Sequence, residues 1–262
     1  EKTMIRCLQS LIPYMERDDE IDIQKIMNWE EVKEIIVPEL VCTRRAGENL
    51  EDLIYRNVEG TDLAIIYRVK QQVANIVGSI KVSKQMMETW GVDENRIHEF
   101  AFHNMNQLST LQIVELNSDF AMPEETFSEL PEKMNKYSSY VFTNKEAFYG
   151  ATTIMEEGML HSIAERLQEG FYLLPMDVDN IVVYPEGMMK NLESIHSMVL
   201  IHNIQCLEPE NYLSDQVYYY SKEKGELSMS TNPENTQDVI IKILQQAMEC
   251  SPGKEEDYGE ER

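Results

Sequence analysis

Phe171-Tyr-Leu-Leu-Pro-Met-Asp-Val-Asp-Asn-Ile-Val-Val-Tyr-Pro185 decides the architecture of this chain. Two apolar, β-rich runs flank a short acidic turn, and each run closes on a proline. The pattern predicts adjacent strands joined by a tight loop at the heart of an α+β domain. Asp177 and Asp179 alternate within the turn, where Asp and Asn side chains ordinarily bond their own backbone. Alternating carboxylates after a strand also suit a hard cation or acid–base work, so both residues are candidate binding positions.

Working outward, the C-terminal side reads as a helix near Met188 to Asn203, then a hairpin of Val217–Tyr220 and Glu226–Met229 around Lys222–Gly225. Asn232-Pro233 opens a last helix with a stripe of Val239, Ile240, Ile243, Leu244, Ala247 and Met248. The tail from Ser251 is polar. On the N-terminal side a helix is predicted over Ile154–Gln168, ended by Gly170. Tyr140–Thr143 and Ala147–Ala151 read as strands, with Gly150 where backbones approach closely.

Residues 117–136 carry Pro123, Pro131 and many acids, and read as a connection between two halves. Leu111–Leu116 is a strand before it. Asp93 caps a helix from Glu94 to Gln107 whose apolar face is Ile97, Phe100, Ala101, Met105 and Leu108. Gly91 stops a short helix containing Met86, Met87 and Trp90, with Trp90 in the core. Thr61–Val69 is a buried strand and Gly78–Val82 its partner. Asn28 caps a helix through Ile36 that Pro38 ends or bends, and an opening helix spans Thr3–Ile12. Asp62 and Arg68, flanking the first strand, are placed to pair, and join the candidate binding residues. Asn104 and Asn203 read as helix C-caps.

The expected fold class is therefore α+β, with mixed or antiparallel sheets, packed helices and two sheet-containing halves. The divisions fall at 1–125, 126–230 and 231–262, the last being a helix and acidic tail.

The chain has 262 residues, 42% hydrophobic, enough for a buried core. Against 47 Asp and Glu stand 23 Lys and Arg, a formal charge of -24. That field repels phosphate backbones and anionic lipid, so no direct nucleic-acid or membrane binding is expected. Cys7, Cys42, Cys206 and Cys250 lie too far apart in sequence for a zinc knuckle or redox dithiol. Scattered thiols point to a reducing, cytoplasmic setting. No two of His98, His103, His161, His196 and His202 sit three or four apart on a helix. No phosphate-binding glycine loop or nucleophile elbow occurs, and no metal or cofactor is expected. The start at Glu1-Lys-Thr-Met-Ile-Arg6 lacks both an initiator methionine and a signal-peptide order, and reads as a fragment or processed chain.

An ordered set of segments resembles a known family. It comprises Asn28-Trp-Glu-Glu-Val-Lys33, Thr61-Asp-Leu-Ala-Ile-Ile66, Met87-Glu-Thr-Trp-Gly-Val-Asp93 with the helix to Asn104, Val141-Phe-Thr-Asn144 with Gly150-Ala151, Phe171-Tyr-Leu-Leu-Pro175 and Leu213-Ser-Asp-Gln-Val-Tyr218. Over residues 20–230 the chain is similar to a domain-of-unknown-function family of Gram-positive gut anaerobes, itself distantly similar to YtpQ-like proteins. Members usually begin with further strands, which fits the fragment reading. Where relatives tend to read Leu-Pro-Ser-Ser-Ile-His-Glu, this chain has Leu174-Pro-Met-Asp-Val-Asp-Asn180. The resemblance thus carries no catalytic residue over. Three functional readings stand: a non-catalytic interaction or accessory protein with a protein partner, a hydrolase or transferase with a dispersed, metal-assisted site at Asp177 and Asp179, and an acidic mimic of nucleic acid.

Overall fold

The computed structural model describes residues 23–44, 50–73, 76–116, 123–232, 236 and 239–241. The opening helix, Cys7 and Cys250 lie outside the described residues, as does most of the final helix. Thr236 and Val239–Ile241 of that helix are helical.

The quoted stretch forms the hairpin as expected. Strands β8 (Phe171–Pro175) and β9 (Ile181–Pro185) pair antiparallel, with Leu173 opposite Val183 and Leu174 opposite Val182. The hairpin lies inside a seven-stranded antiparallel sheet. With β5 (Leu111–Leu116), β6 (Pro123–Phe127), β7 (Ser139–Asn144), β10 (Tyr218–Ser221) and β11 (Glu226–Met229), the order is β11-β10-β8-β9-β7-β5-β6. Both faces of the hairpin are covered, which is why its runs are continuously apolar rather than alternating. Phe171, Leu173, Ile181 and Val183 enter the main core; Leu174, Val182 and Tyr184 pack with Val199 and Val217 on the opposite face. Each fully buried aliphatic or aromatic side chain contributes roughly 1.5–3 kcal/mol. Pro185 is tolerated because β7 pairs only with Ile181–Val183, leaving the proline beyond the ladder.

The smaller sheet contains β1 (Ile36–Cys42), β2 (Tyr55–Asn57), β3 (Leu63–Val73) and β4 (Ile76–Lys81), all antiparallel. Its inner face carries Ile36, Leu40, Tyr67, Val69 and Ile80, which join the same core as the hairpin. The fold is thus α+β with two antiparallel sheets. Since β5 and β6 both belong to the larger sheet, strand pairing changes hands at Leu111, upstream of the expected division at 125.

The helices begin where their caps are. Asn28, Ser83 and Asp93 cap α2 (Trp29–Val32), α3 (Lys84–Trp90) and α4 (Glu94–Leu108), after a short α1 (Ile23–Ile26). Left-handed Gly91 ends α3, and the Trp90 indole is buried with its N–H donated to Ile26 O at 3.0 Å. The next helix, α5, covers Met159–Leu167, and α6 covers Leu192–Cys206 behind the cap of Asn191.

Four expectations are corrected. The helix from Asn28 ends at Val32, and Pro38 lies inside β1. Ile35 O accepts from Lys70 N and Thr43 N donates to Asp62 O, so odd-numbered residues of β1 face β3. Pro38 therefore points its missing donor away from the ladder, at an edge, where proline is harmless. Second, Ala147–Ala151 is no strand. Asn144 bonds both the N–H and the carbonyl of Phe148, at 3.0 and 2.9 Å, and wraps the chain into a turn. A 3-10 helix, Gly150–Met155, follows, and α5 starts only after left-handed Gly158. Third, β6 forms within the supposed connection; its proline and acids suit an edge strand. Fourth, Asn104 and Asn203 are tertiary ties rather than caps. Asn104 donates to Lys33 O and Ile36 O, and Asn203 to Ser214 O and Asp215 Oδ1.

Candidate functional site

Polar groups gather where the outer face of the small sheet meets the turn after β7. On neighbouring strands, Glu39, Arg68 and Ser79 project to that face, since Arg68 lies opposite Val37 and Lys81, and Lys70 opposite Ser79. Glu39 is only 5% exposed, a carboxylate burial that demands a partner. Arg68 supplies it through Nε, and gives Nη1 to Ser79 Oγ at 3.0 Å. Ser79 Oγ in turn shares a hydrogen bond with the Tyr149 hydroxyl at 2.9 Å. The Arg68 guanidinium lies 5.0 Å from the Tyr149 ring centroid, and the Lys70 ammonium 4.7 Å from that of Phe148.

Tyr149 reaches this position from an unusual backbone. Ala147 and Tyr149 both adopt left-handed φ, 46° and 55°, uncommon for residues with a Cβ. Asn144 holds one side of the turn and Asp179 the other. Asp179 Oδ1 accepts the Tyr149 N–H at 2.6 Å. Gly150 is needed there: a Cβ would sit 2.5 Å from Asp179 O and 2.7 Å from Asn144 N. The turn then delivers Thr152, whose Oγ1 accepts from Leu40 N at 2.8 Å and closes part of the open edge of β1.

Burial pushes Asp179 above the ordinary carboxylate value. The Tyr149 N–H pulls it back, Asp177 pushes it up again, and Gly150 and Glu39 act more weakly in opposite senses. Burial likewise raises Tyr149, with Arg68 opposing, so the phenol stays protonated near neutrality. The partners of Ser79 Oγ are a guanidinium and a neutral phenol, neither of them a base. As arranged, the cluster can fix a turn and neutralise a buried charge.

The four residues singled out in the sequence do not share one site. Arg68 and Asp179 are brought to this junction. Asp177 stands beside it as the acceptor for Asp179 N at 2.8 Å and for Asn180 Nδ2 at 2.9 and 3.0 Å, the turn-building role its sequence context suggests. Asp62 is elsewhere, and its anticipated pairing with Arg68 does not form. Six residues of strand separate them by about 20 Å. Asp62 instead accepts from the Tyr218 hydroxyl at 2.7 Å, across to the large sheet, with Cys42 Sγ at 3.6 Å and Arg44 Nε at 3.6 Å. Tyr218 is itself bonded to Ser214 Oγ at 2.7 Å. A third polar group joins Tyr67 to His98 Nδ1 at 2.9 Å, beside the Arg56–Glu94 pair.

Sequence reasoning missed Glu39, Ser79, Tyr149 and Tyr218. Glu39 had a usable signal, a lone acid inside the apolar run Ile35-Ile-Val-Pro-Glu-Leu-Val-Cys42. Tyr149 had none, because only the turn made by Asn144 and Asp179 turns it towards Arg68. Among the described residues no group of three or more His, Cys, Asp or Glu could hold a metal ion, and no helix is long and apolar enough to cross a membrane.

No curated protein and no solved structure matches this chain. One family model does, over residues 2–222, a span that holds the small sheet, every strand of the large sheet except β11, and every residue of the cluster. The chain belongs to that family, the family of unknown function DUF5688.

Proposed function

We propose that this protein is a non-catalytic interaction or accessory protein. The observation that carries the reading is the employment of Asp179. Its carboxylate is committed to the main-chain N–H of Tyr149, while Arg68 is committed to Glu39 and Ser79. Side chains of the type that catalyse are here engaged in holding a turn against a sheet edge. On this reading the protein is a cytoplasmic bacterial protein of Gram-positive gut anaerobes, distantly akin to YtpQ-like proteins. It acts on a protein partner, its charge of -24 disfavouring nucleic acid and anionic membranes.

The test replaces Ser79→Ala and Asp177→Asn in the native cell and compares in-cell cross-linked partners with the amount of folded protein. The expected result is an unchanged partner set, scaling only with folded protein. A variant that melts like the parent yet reproduces the phenotype of a gene deletion would overturn the reading.

One observation favours the second reading, a hydrolase or transferase. Glu39, Arg68, Ser79, Tyr149 and Asp179 converge at a single junction, the kind of gathering that active sites show. Turnover of a generic ester or phosphate-ester substrate, lost in a folded Ser79→Ala variant, would establish it.

A further inference from the structure

We draw no further inference here: the strongest candidate, the flank of α6 that leaves Ile201 and Ile204 in solvent, is an apolar face for which nothing in the structure shows what covers it.

Discussion

Tyr218→Phe tests how the two sheets are fastened. The change keeps the ring in its fully buried seat and removes one oxygen, so little packing is lost. That oxygen donates to Asp62 Oδ1 and is shared with Ser214 Oγ, both at 2.7 Å. Asp62 is 6% exposed, and its remaining contacts are weak: a thiol at 3.6 Å, and Arg44 at 3.6 Å with a side chain 55% exposed. A hydrogen bond to a charged group is worth about 1.5–3 kcal/mol, and the neutral bond to Ser214 about 1 kcal/mol. The expected loss is therefore about 3 kcal/mol, or roughly 6–12 °C in Tm for a chain of this size. Tyr184→Phe is the control, since its hydroxyl donates to the neutral carbonyl of Met188 at 3.2 Å rather than to a carboxylate; it should cost about 1 kcal/mol. Urea unfolding followed by circular dichroism reads all of these. In the Asp62→Asn background Tyr218→Phe should cost clearly less than it does alone, because the charge that needs the donor is gone. A loss below about 0.5 kcal/mol, or strictly additive variants, would refute the fastening role. Tyr218 also sets a pH limit. Burial and Asp62 raise it well above its usual value, so its contribution is complete below pH 10 and fades at higher pH.

Gly60→Ala should cost about 2–4 kcal/mol in the same assay, since φ is +77° and the new Cβ would overlap the carbonyl of Leu227 in β11. Arg68→Met should cost about 3–5 kcal/mol by stranding buried Glu39, and adding Glu39→Gln should recover much of it; an unrecovered loss would mean that Arg68 acts by packing instead. Burial depresses His98 and His196 below the ordinary value of 6.5, so the unfolded chain takes up protons first as the pH falls. Stability should be complete above pH 6.5 and decline as the pH falls through the folded values; a His98→Gln, His196→Gln double variant should flatten the urea midpoints between pH 7.5 and 5. Asp179→Asn should melt at the parent temperature or higher at neutral pH. Asp179→Ala, which leaves the Tyr149 N–H unpaired, should lose about 1–3 kcal/mol.

What the sequence makes legible is whatever local chemistry decides. The hairpin at Phe171–Pro185 is readable because continuous apolar runs around an Asp-Asn turn have few other solutions. The caps at Asn28 and Asp93 are set by one side chain each. The misreadings share a different cause. Trp29–Ile36 looks like one helix, but Lys70 N takes the carbonyl of Ile35 into the sheet, a partner 35 residues away. Ala147–Ala151 has strand composition, yet Asn144 and Asp179 hold it in a conformation that intrinsic preference opposes. Arg68 and Asp179 are recognisable as polar groups near buried strands. Their meeting depends on the larger sheet docking against the smaller, and neither residue encodes that by itself.

The turn at Tyr149 puts structure and function in opposition at one atom. Two left-handed residues, each costing on the order of 1 kcal/mol, persist only where surrounding bonds over-determine them. Here those bonds come from Asn144 and Asp179, and the turn's yield is visible: Thr152 on the edge of β1 and Tyr149 on Arg68. A structural purpose thus accounts for the strain. It does not account for the charge on Asp179. An amide oxygen would accept the Tyr149 N–H as well, without facing Asp177 and Glu39 from a partly buried position. Because the folded value of Asp179 is raised, the folded state favours the protonated acid. Stability contributed by this group therefore falls as pH rises from 3.8 through the folded value. Asp179→Asn removes that penalty and leaves the geometry in place, so it separates the two readings where alanine cannot. If the variant is as stable as the parent and keeps the cellular phenotype, the carboxylate is a turn-holder and the accessory role stands. If it is as stable and loses the phenotype, the charge is kept for what it does to a ligand, and the hydrolase or transferase reading takes its place.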